Sequence, residues 1–300
     1  MTTMSAHINT TVLMSGVDYF DDGQAINPFM TQEEPINLEK AKKEHDGIRA
    51  ALESAGVTVI KVDPPKDCQD GVYTANWALV RGDKAVLAAL PNARQAETPY
   101  AAEVLARQGK TVIRLPEGLK ASGQGDALPC GDLLFCGSQY RSDVEAQQFI
   151  ADTLGYRRIQ LQTVPLLDGD GNPAINAVSG LPDSFYYDID LAISIIRFPV
   201  DGQKGLIAWC PEAFTPESRA ILNALDEIDK IEVSEVEARE GFACNLVSTG
   251  ETVIMNTGGV QLAKDLETWG LRTILLDNPE LGKGGGSIRC TTLTFNPATL

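Results

Sequence analysis

One supersecondary pattern recurs along this chain, and it constrains the fold more than any other feature: two short strands joined by a turn, a helix, then a third strand. The first clear instance runs through Trp77-Ala78-Leu79-Val80, the turn Arg81-Gly82-Asp83, Lys84 to Leu90, a helix from about Ala93 to Gln108 and the strand Thr111 to Arg114. A second starts near Asp126, with Asp132 to Cys136, a helix from Ser142 to Leu154 and Arg158 to Leu161. A third uses Ala192 to Ile196, the loop Asp201 to Lys204, Gly205 to Trp209, a helix from Pro216 to Leu225 and Lys230 to Val233. The fourth pairs Asn245 to Val247 with Thr252 to Met255, then Val260 to Trp269 and Thr273 to Leu276.

Half a unit is left at each end. Ser287 to Phe295 reads as a strand, while Thr11 to Met14, the helix around Leu38 to Ala55 and Val57 to Val62 supply the remainder. Pairing the ends completes a fifth unit and closes a ring, which removes exposed sheet edges. An open α/β sheet with antiparallel insertions fits the same pattern with another strand order. Either way the expectation is α/β, with residues 1–300 as a single domain.

At 43% hydrophobic and 22% charged, the 300 residues can bury a sizeable core. A net charge of -16 without a basic run argues against a nucleic-acid or anionic-membrane partner. No apolar run approaches the roughly 20 residues a membrane helix needs, and Met1 to Leu13 lacks the pattern of a secretory signal. The six scattered cysteines, at 68, 130, 136, 210, 244 and 290, read as free thiols of a cytoplasmic protein rather than a disulfide framework. Without CxxC or HxxxH spacing, no metal site is expected. The two histidines are His7 and His45, and His45 is read as a solvated residue on the polar face of an amphipathic helix.

Polar residues that break the strand-core pattern recur near the start of each unit: Asp70 and Asn76, Asp126, Asp188 and Asp190, Asn245, then Cys290. A closed ring would gather them around a central pocket suited to a small cation. In Tyr187-Asp188-Ile189-Asp190-Leu191, strand alternation would put both carboxylates on one face, where they repel unless a cation lies between them. The run Gly282-Lys283-Gly284-Gly285-Gly286-Ser287 lacks the Walker pattern, and its three consecutive glycines let backbone approach a ligand closely. Cys290 follows it.

The ordered set Ala25 to Met30, Asp70 to Asn76, Gly123 to Leu128, Tyr140-Arg141-Ser142-Asp143, Asp188-Ile189-Asp190 and Lys283 to Thr292 resembles the dimethylarginine dimethylaminohydrolase, arginine deiminase and amidinotransferase superfamily. The resemblance covers nearly the whole chain. It implies a five-bladed αβ-propeller of ββαβ units, no cofactor, a small guanidino or amidino substrate, and attack by a cysteine on a guanidinium carbon through a thiouronium intermediate. It makes Cys290 the nucleophile, puts Asp190 and Asn76 against the guanidinium, and has Asp70 and Arg141 hold the ends of an amino-acid substrate. Asp126 and Asn245 join the substrate-binding set, and a homodimer is an expectation.

The chain departs from the family where its acid-base histidine belongs. The family's His-Leu-Asp stands here as Asp188-Ile189-Asp190, and the glutamate that partners the histidine is Ser122. The expectation is a hydrolase of non-peptide C–N bonds in which Asp188 moves the protons. The alternatives are an amidinotransferase and a non-catalytic binder of guanidino ligands.

Overall fold

The structure is a computed structural model that describes residues 7–90, 94–200 and 202–296. The chain enters through β1 (Thr11–Met14), crosses over in α1 (Leu38–Ser54) and returns as β2 (Thr58–Lys61), parallel to β1. Asn37 starts α1 by accepting a hydrogen bond from the Lys40 amide at 3.1 Å, the side-chain cap that satisfies an otherwise orphaned donor. Ala41, His45, Ile48 and Leu52 then follow at helical spacing and face the interior. His45 belongs to this buried stripe, which corrects its assignment to the polar face: it lies four residues after Ala41 and three before Ile48, so helical geometry turns it inward with them.

Three further units share one plan. β3 (Ala78–Arg81) and β4 (Lys84–Leu87) form a hairpin, α2 (Glu97–Arg107) crosses, and β5 (Thr111–Ile113) joins parallel to β4. β6 (Ala127–Cys130), β7 (Leu133–Cys136), α3 (Val144–Leu154) and β8 (Arg157–Gln160) repeat it. So do β9 (Ile193–Arg197), β10 (Gly205–Trp209), α4 (Pro216–Asn223) and β11 (Ile228–Glu232). The first two hairpins close through two-residue turns led by Gly82 and Gly131, at φ 60° and 65°, a backbone region that glycine enters without strain.

A short α5 (Glu235–Arg239) precedes the fourth unit, made of β12 (Val247–Ser248), β13 (Thr252–Asn256), α6 (Val260–Thr268) and β14 (Arg272–Leu276). After α7 (Pro279–Gly282), β15 (Leu293–Thr294) pairs antiparallel with β1, Leu13 opposite Leu293. Among the described residues there are thus five three-stranded sheets, each with the same mixed pairing, and the fifth is assembled from both ends of the chain. β9 packs beside both β6 and β12, and β15 packs beside β3. The core is built from the inner strands and the helices over them, with Trp77, Trp209, Phe135 and Phe214 fully buried.

Several local readings are corrected. Residues 288–291 form a turn, and only Leu293 and Thr294 pair, so Cys290 lies ahead of its strand rather than within it. Asp188-Ile189-Asp190 is likewise not strand: Asp188 leads into a 3₁₀ turn over Ile189–Leu191, and pairing begins at Ile193. Both segments turn because their backbone is bonded to buried side chains, described below, instead of to a neighbouring strand. Asn245 precedes β12, and Trp77 closes a 3₁₀ turn over Thr74–Trp77. An excursion over residues 163–186 carries the isolated bridges Leu167–Pro173 and Ile175–Pro182, which the repeat did not foretell. Ala93 and Asp201, the expected start of a helix and of a loop, lie outside the described residues. Among the described residues no helix is long and apolar enough to cross a membrane.

Candidate active site

The residues expected to converge do so, one to three positions ahead of the first strand of each sheet: Asn76 before β3, Asp126 before β6, Asp190 before β9, Asn245 before β12 and Cys290 before β15. All five are at most 3% exposed.

Asn245 organises the turn that carries Cys290. Its Oδ1 accepts from the backbone amides of Ser287, Arg289 and Cys290 at 3.0, 3.1 and 3.2 Å, and its Nδ2 lies 3.2 Å from Cys290 Sγ. One buried side chain thereby does what a ladder partner would do, and the loop is held without a strand. The glycines before it let this turn pack: a Cβ on Gly286 would lie 2.8 Å from both Cys290 Cβ and Tyr73 Cε1. Tyr73 and Tyr187 donate their hydroxyls to the Leu281 and Gly285 carbonyls at 2.6 Å, pinning the same segment.

Asp126 does for residues 188–190 what Asn245 does for the cysteine turn. Its Oδ1 accepts from the Ile189 amide at 3.0 Å and its Oδ2 from Ser142 Oγ at 2.6 Å. Both oxygens are committed to the scaffold. Burial, then the neighbouring Asp188, pushes its carboxyl well above the usual range.

Asp188 and Asp190 are 1% and 0% exposed, and each keeps one oxygen, Oδ1, with no hydrogen-bond partner. Asp188 Oδ2 accepts from Asn76 Nδ2 at 2.7 Å and lies 3.7 Å from Arg141 Nη1. The Cys290 thiol donates to Asp190 Oδ2 at 3.4 Å. Burial, reinforced by Asp188, raises Asp190 to about 8, while Arg289 and the Cys290 hydrogen bond pull the other way. Burial also pushes the Cys290 thiol well up, with Asp190 and Asp188 adding to it.

A cavity of about 10 Å³ lies over Cys290, lined by Asp70, Asn76, Arg141 and Tyr187, by Gly284 and Gly286, and by Ile26 and Asn27 from the β1–α1 connection. That is room for one water. Arg141 stacks on the Tyr187 ring at 3.9 Å, a cation–π contact that fixes its guanidinium at the cavity wall. Asp70 is raised to about 6 by burial, against the pull of Arg94. Asp188, bonded to Asn76, and Asp190 and Asn245, bonded to Cys290, are not part of this lining, nor is Asp126, which is bonded to the Ile189 amide.

Arg94 also belongs to the site, though nothing in the sequence marks it. Its guanidinium is 3% exposed, pairs with Glu97 at 2.7 Å, and donates to Asn76 Oδ1 at 2.7 Å and to the carbonyls of Asp70 and Tyr73. An arginine three residues before a glutamate looks like an ordinary surface pair, and no local signal marks it as buried. Ser122, where the family has glutamate, accepts from Asn76 Nδ2 at 2.9 Å. Neither histidine lines the cavity: His7 is exposed and His45 is on α1.

A buried thiol against paired carboxylates, at the entry of repeated ββαβ units, defines the class as the guanidino-modifying superfamily. The family N,N dimethylarginine dimethylhydrolase, eukaryotic, matches residues 20–169, half of the sequence, and the chain belongs to that family. It is 30% identical over 293 residues to the bifunctional arginine dihydrolase/ornithine cyclodeaminase ArgZ of a Synechocystis species, covering 94% of this chain and 37% of that one. The equivalent bifunctional protein AgrE of a Nostoc species is 29% identical, again over 37% of its length, so the chain spans little more than a third of these relatives. The N(G),N(G)-dimethylarginine dimethylaminohydrolase of Mycobacterium tuberculosis is 28% identical over 93% of this chain and 83% of its own. Among solved structures, the cyanobacterial ArgZ N-terminal domain covalently bound to a reaction intermediate superposes with a TM-score of 0.82 at 26% identity, covering 97% of this chain and 99% of that one.

Proposed function

We propose that this chain hydrolyses a C–N bond of a small guanidino compound of the arginine type through a covalent Cys290 adduct. One observation carries the reading: the Cys290 thiol donates to a buried carboxylate that, with its neighbour Asp188, has an oxygen lacking any partner. Two buried carboxylates so placed call for a cation with planar N–H donors, and a guanidinium supplies both these and an electrophilic carbon. Arg141 and Asp70 at the cavity wall suit the carboxylate and ammonium of an amino-acid substrate. The relatives' activity and the ArgZ intermediate support the same chemistry.

The proton account balances without a histidine. A guanidinium seated against Asp188 and Asp190 offsets the repulsion that holds the thiol neutral. The thiol proton then passes to Asp190, and sulfur attacks the guanidinium carbon. Collapse breaks one C–N bond as that proton moves to the departing nitrogen, leaving a thiouronium and free ammonia or amine. Asp188 takes a proton from water, whose oxygen attacks the same carbon. The C–S bond breaks, the ureido product forms and the thiol is regenerated, with one net proton passing to the released base. Asn245 and Asp126 act as positioning residues for the two turns, a narrower role than the substrate contact expected of them. Positioned proton transfer is worth roughly 10² to 10⁴ in rate, and here it falls to carboxylates.

The fold proposal is that the five sheets are blades of an αβ-propeller forming a single domain; their shared pairing and the contacts among inner strands support it. A substrate needs more room than the cavity over Cys290 offers, and displacement of Ile26 and Asn27, on the β1–α1 connection, would open it. The six free, buried cysteines suit a reducing cytoplasm. The test is release of ammonia or amine and of ureido product from arginine, methylated arginines and agmatine. Turnover by the wild type and none by Cys290→Ser is expected; equal rates in the two would end the proposal.

A further inference from the structure

A second cavity, of about 660 Å³, opens at the carboxyl ends of the parallel strands β1 and β2, between α1 and α2, and shares no lining residue with the catalytic one. Crevices at the carboxyl ends of parallel strands recur as ligand sites because helix and loop polar groups converge there. His45 lines this one. The imidazole is 7% exposed, makes no hydrogen bond among the described residues, and its Nε2 is buried without a partner. Leucine would fill this place in the apolar stripe of α1 at no such cost, so an unsatisfied imidazole here points to a use. Burial lowers its pKa to about 4, and it stays neutral at physiological pH.

Four cations and three carboxylates line it. Asp46 is taken up by Lys42 and Arg49, both at 3.2 Å. Lys61, Arg107, Asp18 and Asp63 also line the cavity, and none of the four joins an ion pair among the described residues. Two cations and two carboxylates free of ion pairs, Arg107 also bonding Tyr100, match a dipolar ligand better than a simple anion, even though the chain as a whole carries a net charge of -16.

We propose that this cavity is a second ligand site, for a free α-amino acid, whose carboxylate meets Lys61 and Arg107 and whose ammonium meets Asp18 and Asp63, with the His45 edge beside them. The ligand reaches residues 15–18, the root of the connection whose Ile26 and Asn27 close the catalytic cavity. Ser15 Oγ also donates to the Gly71 carbonyl at 2.6 Å, next to Asp70. Occupancy would therefore bear on how readily that connection opens. The inference stands apart from the catalytic reading, because none of its residues belongs to the thiol site.

The chain's two histidines make the test direct. Protein labelled with ¹⁵N-histidine and carrying Cys290→Ser is titrated with L-lysine, with inorganic phosphate and methylamine as singly functional controls. The expected result is a saturable shift of the His45 resonances with His7 unmoved, weakened at least tenfold in Lys61→Ala/Arg107→Ala and retained in Arg141→Ala. No shift with lysine, a shift that survives the double substitution, or one lost in Arg141→Ala would overturn the proposal. Phosphate alone reproducing the shift would replace the amino acid by an anion and overturn it equally.

Discussion

Cys290 Sγ lies 3.4 Å from Asp190 Oδ2 and donates its hydrogen to it, in a site that no histidine lines. The proton that must leave the nucleophile passes to a carboxyl raised to about 8, mostly protonated in the ligand-free protein and able to accept once a bound guanidinium draws its pKa down.

Asp190→Asn removes the acceptor while keeping the shape. Turnover is expected to fall by about 10² or more, read as kcat on whichever guanidino substrate is turned over. The substitution also tests linkage. A carboxyl raised from 3.8 to about 8 keeps its proton in the folded state where the unfolded chain has lost it. Asp190 thus contributes stability that is present below pH 4 and lost as pH rises toward 8. Thermal midpoints of ligand-free wild type should decline over that window more steeply than those of Asp190→Asn, and a guanidino ligand should flatten the wild-type decline.

Asn245→Ala strips three backbone amides of their acceptor. Buried donors left unmade cost about 1–3 kcal/mol each at most, shared here among three that draw on one oxygen. The expected loss is about 2–3 kcal/mol in denaturant unfolding, with alkylation of Cys290 by iodoacetamide becoming faster as the turn loosens. Asn245→Asp should retain more of the stability than Ala.

Arg94 and Glu97 form a pair at most 3% exposed, so removing one partner strands the other. Arg94→Met should cost about 3–5 kcal/mol. Arg94→Met/Glu97→Gln should recover part of that stability. Its KM should remain high, because Asn76 has lost the donor that orients its amide.

His45 gives the opposite pH signature to Asp190. Its pKa is lowered to about 4, so between pH 4 and 6.5 the unfolded chain binds the extra proton and stability rises with pH, being lost below about 4. His45→Leu should be more stable than wild type throughout and should lack this rise, measured by chemical unfolding at pH 4.5 and 6.5.

The ββαβ repeat was legible because hydrophobic alternation and turn residues are local, and the half-units at either end announced the sheet that β15 and β1 form. The convergence of Asn76, Asp126, Asp190, Asn245 and Cys290 followed from their equivalent places in the repeat. What could not be read was what those residues hold. Asn245 and Asp126 replace strand pairing with side-chain bonds to backbone amides, so the segments at 188–190 and 287–292, read as strand from the sequence, turn instead. Arg94 is buried by partners 18 to 24 residues away in sequence, and His45 was misread because its charged neighbours Lys42, Lys43 and Glu44 conceal the stripe it shares with Ala41 and Ile48.

Hydrolysis by this route passes through a covalent bond between Cys290 and a guanidinium carbon. Acid-quenched intact-mass measurement during incubation with arginine, methylated arginines and agmatine tests it, with Asp188→Asn included to slow hydrolysis. The expected result is an added mass equal to the substrate less ammonia or amine, mapped to the peptide containing Cys290, more abundant in Asp188→Asn and absent in Cys290→Ser. No adduct and no released ammonia or amine across the panel, with ligand-induced thermal stabilisation persisting in Cys290→Ser, would contradict it and leave a guanidino-binding protein.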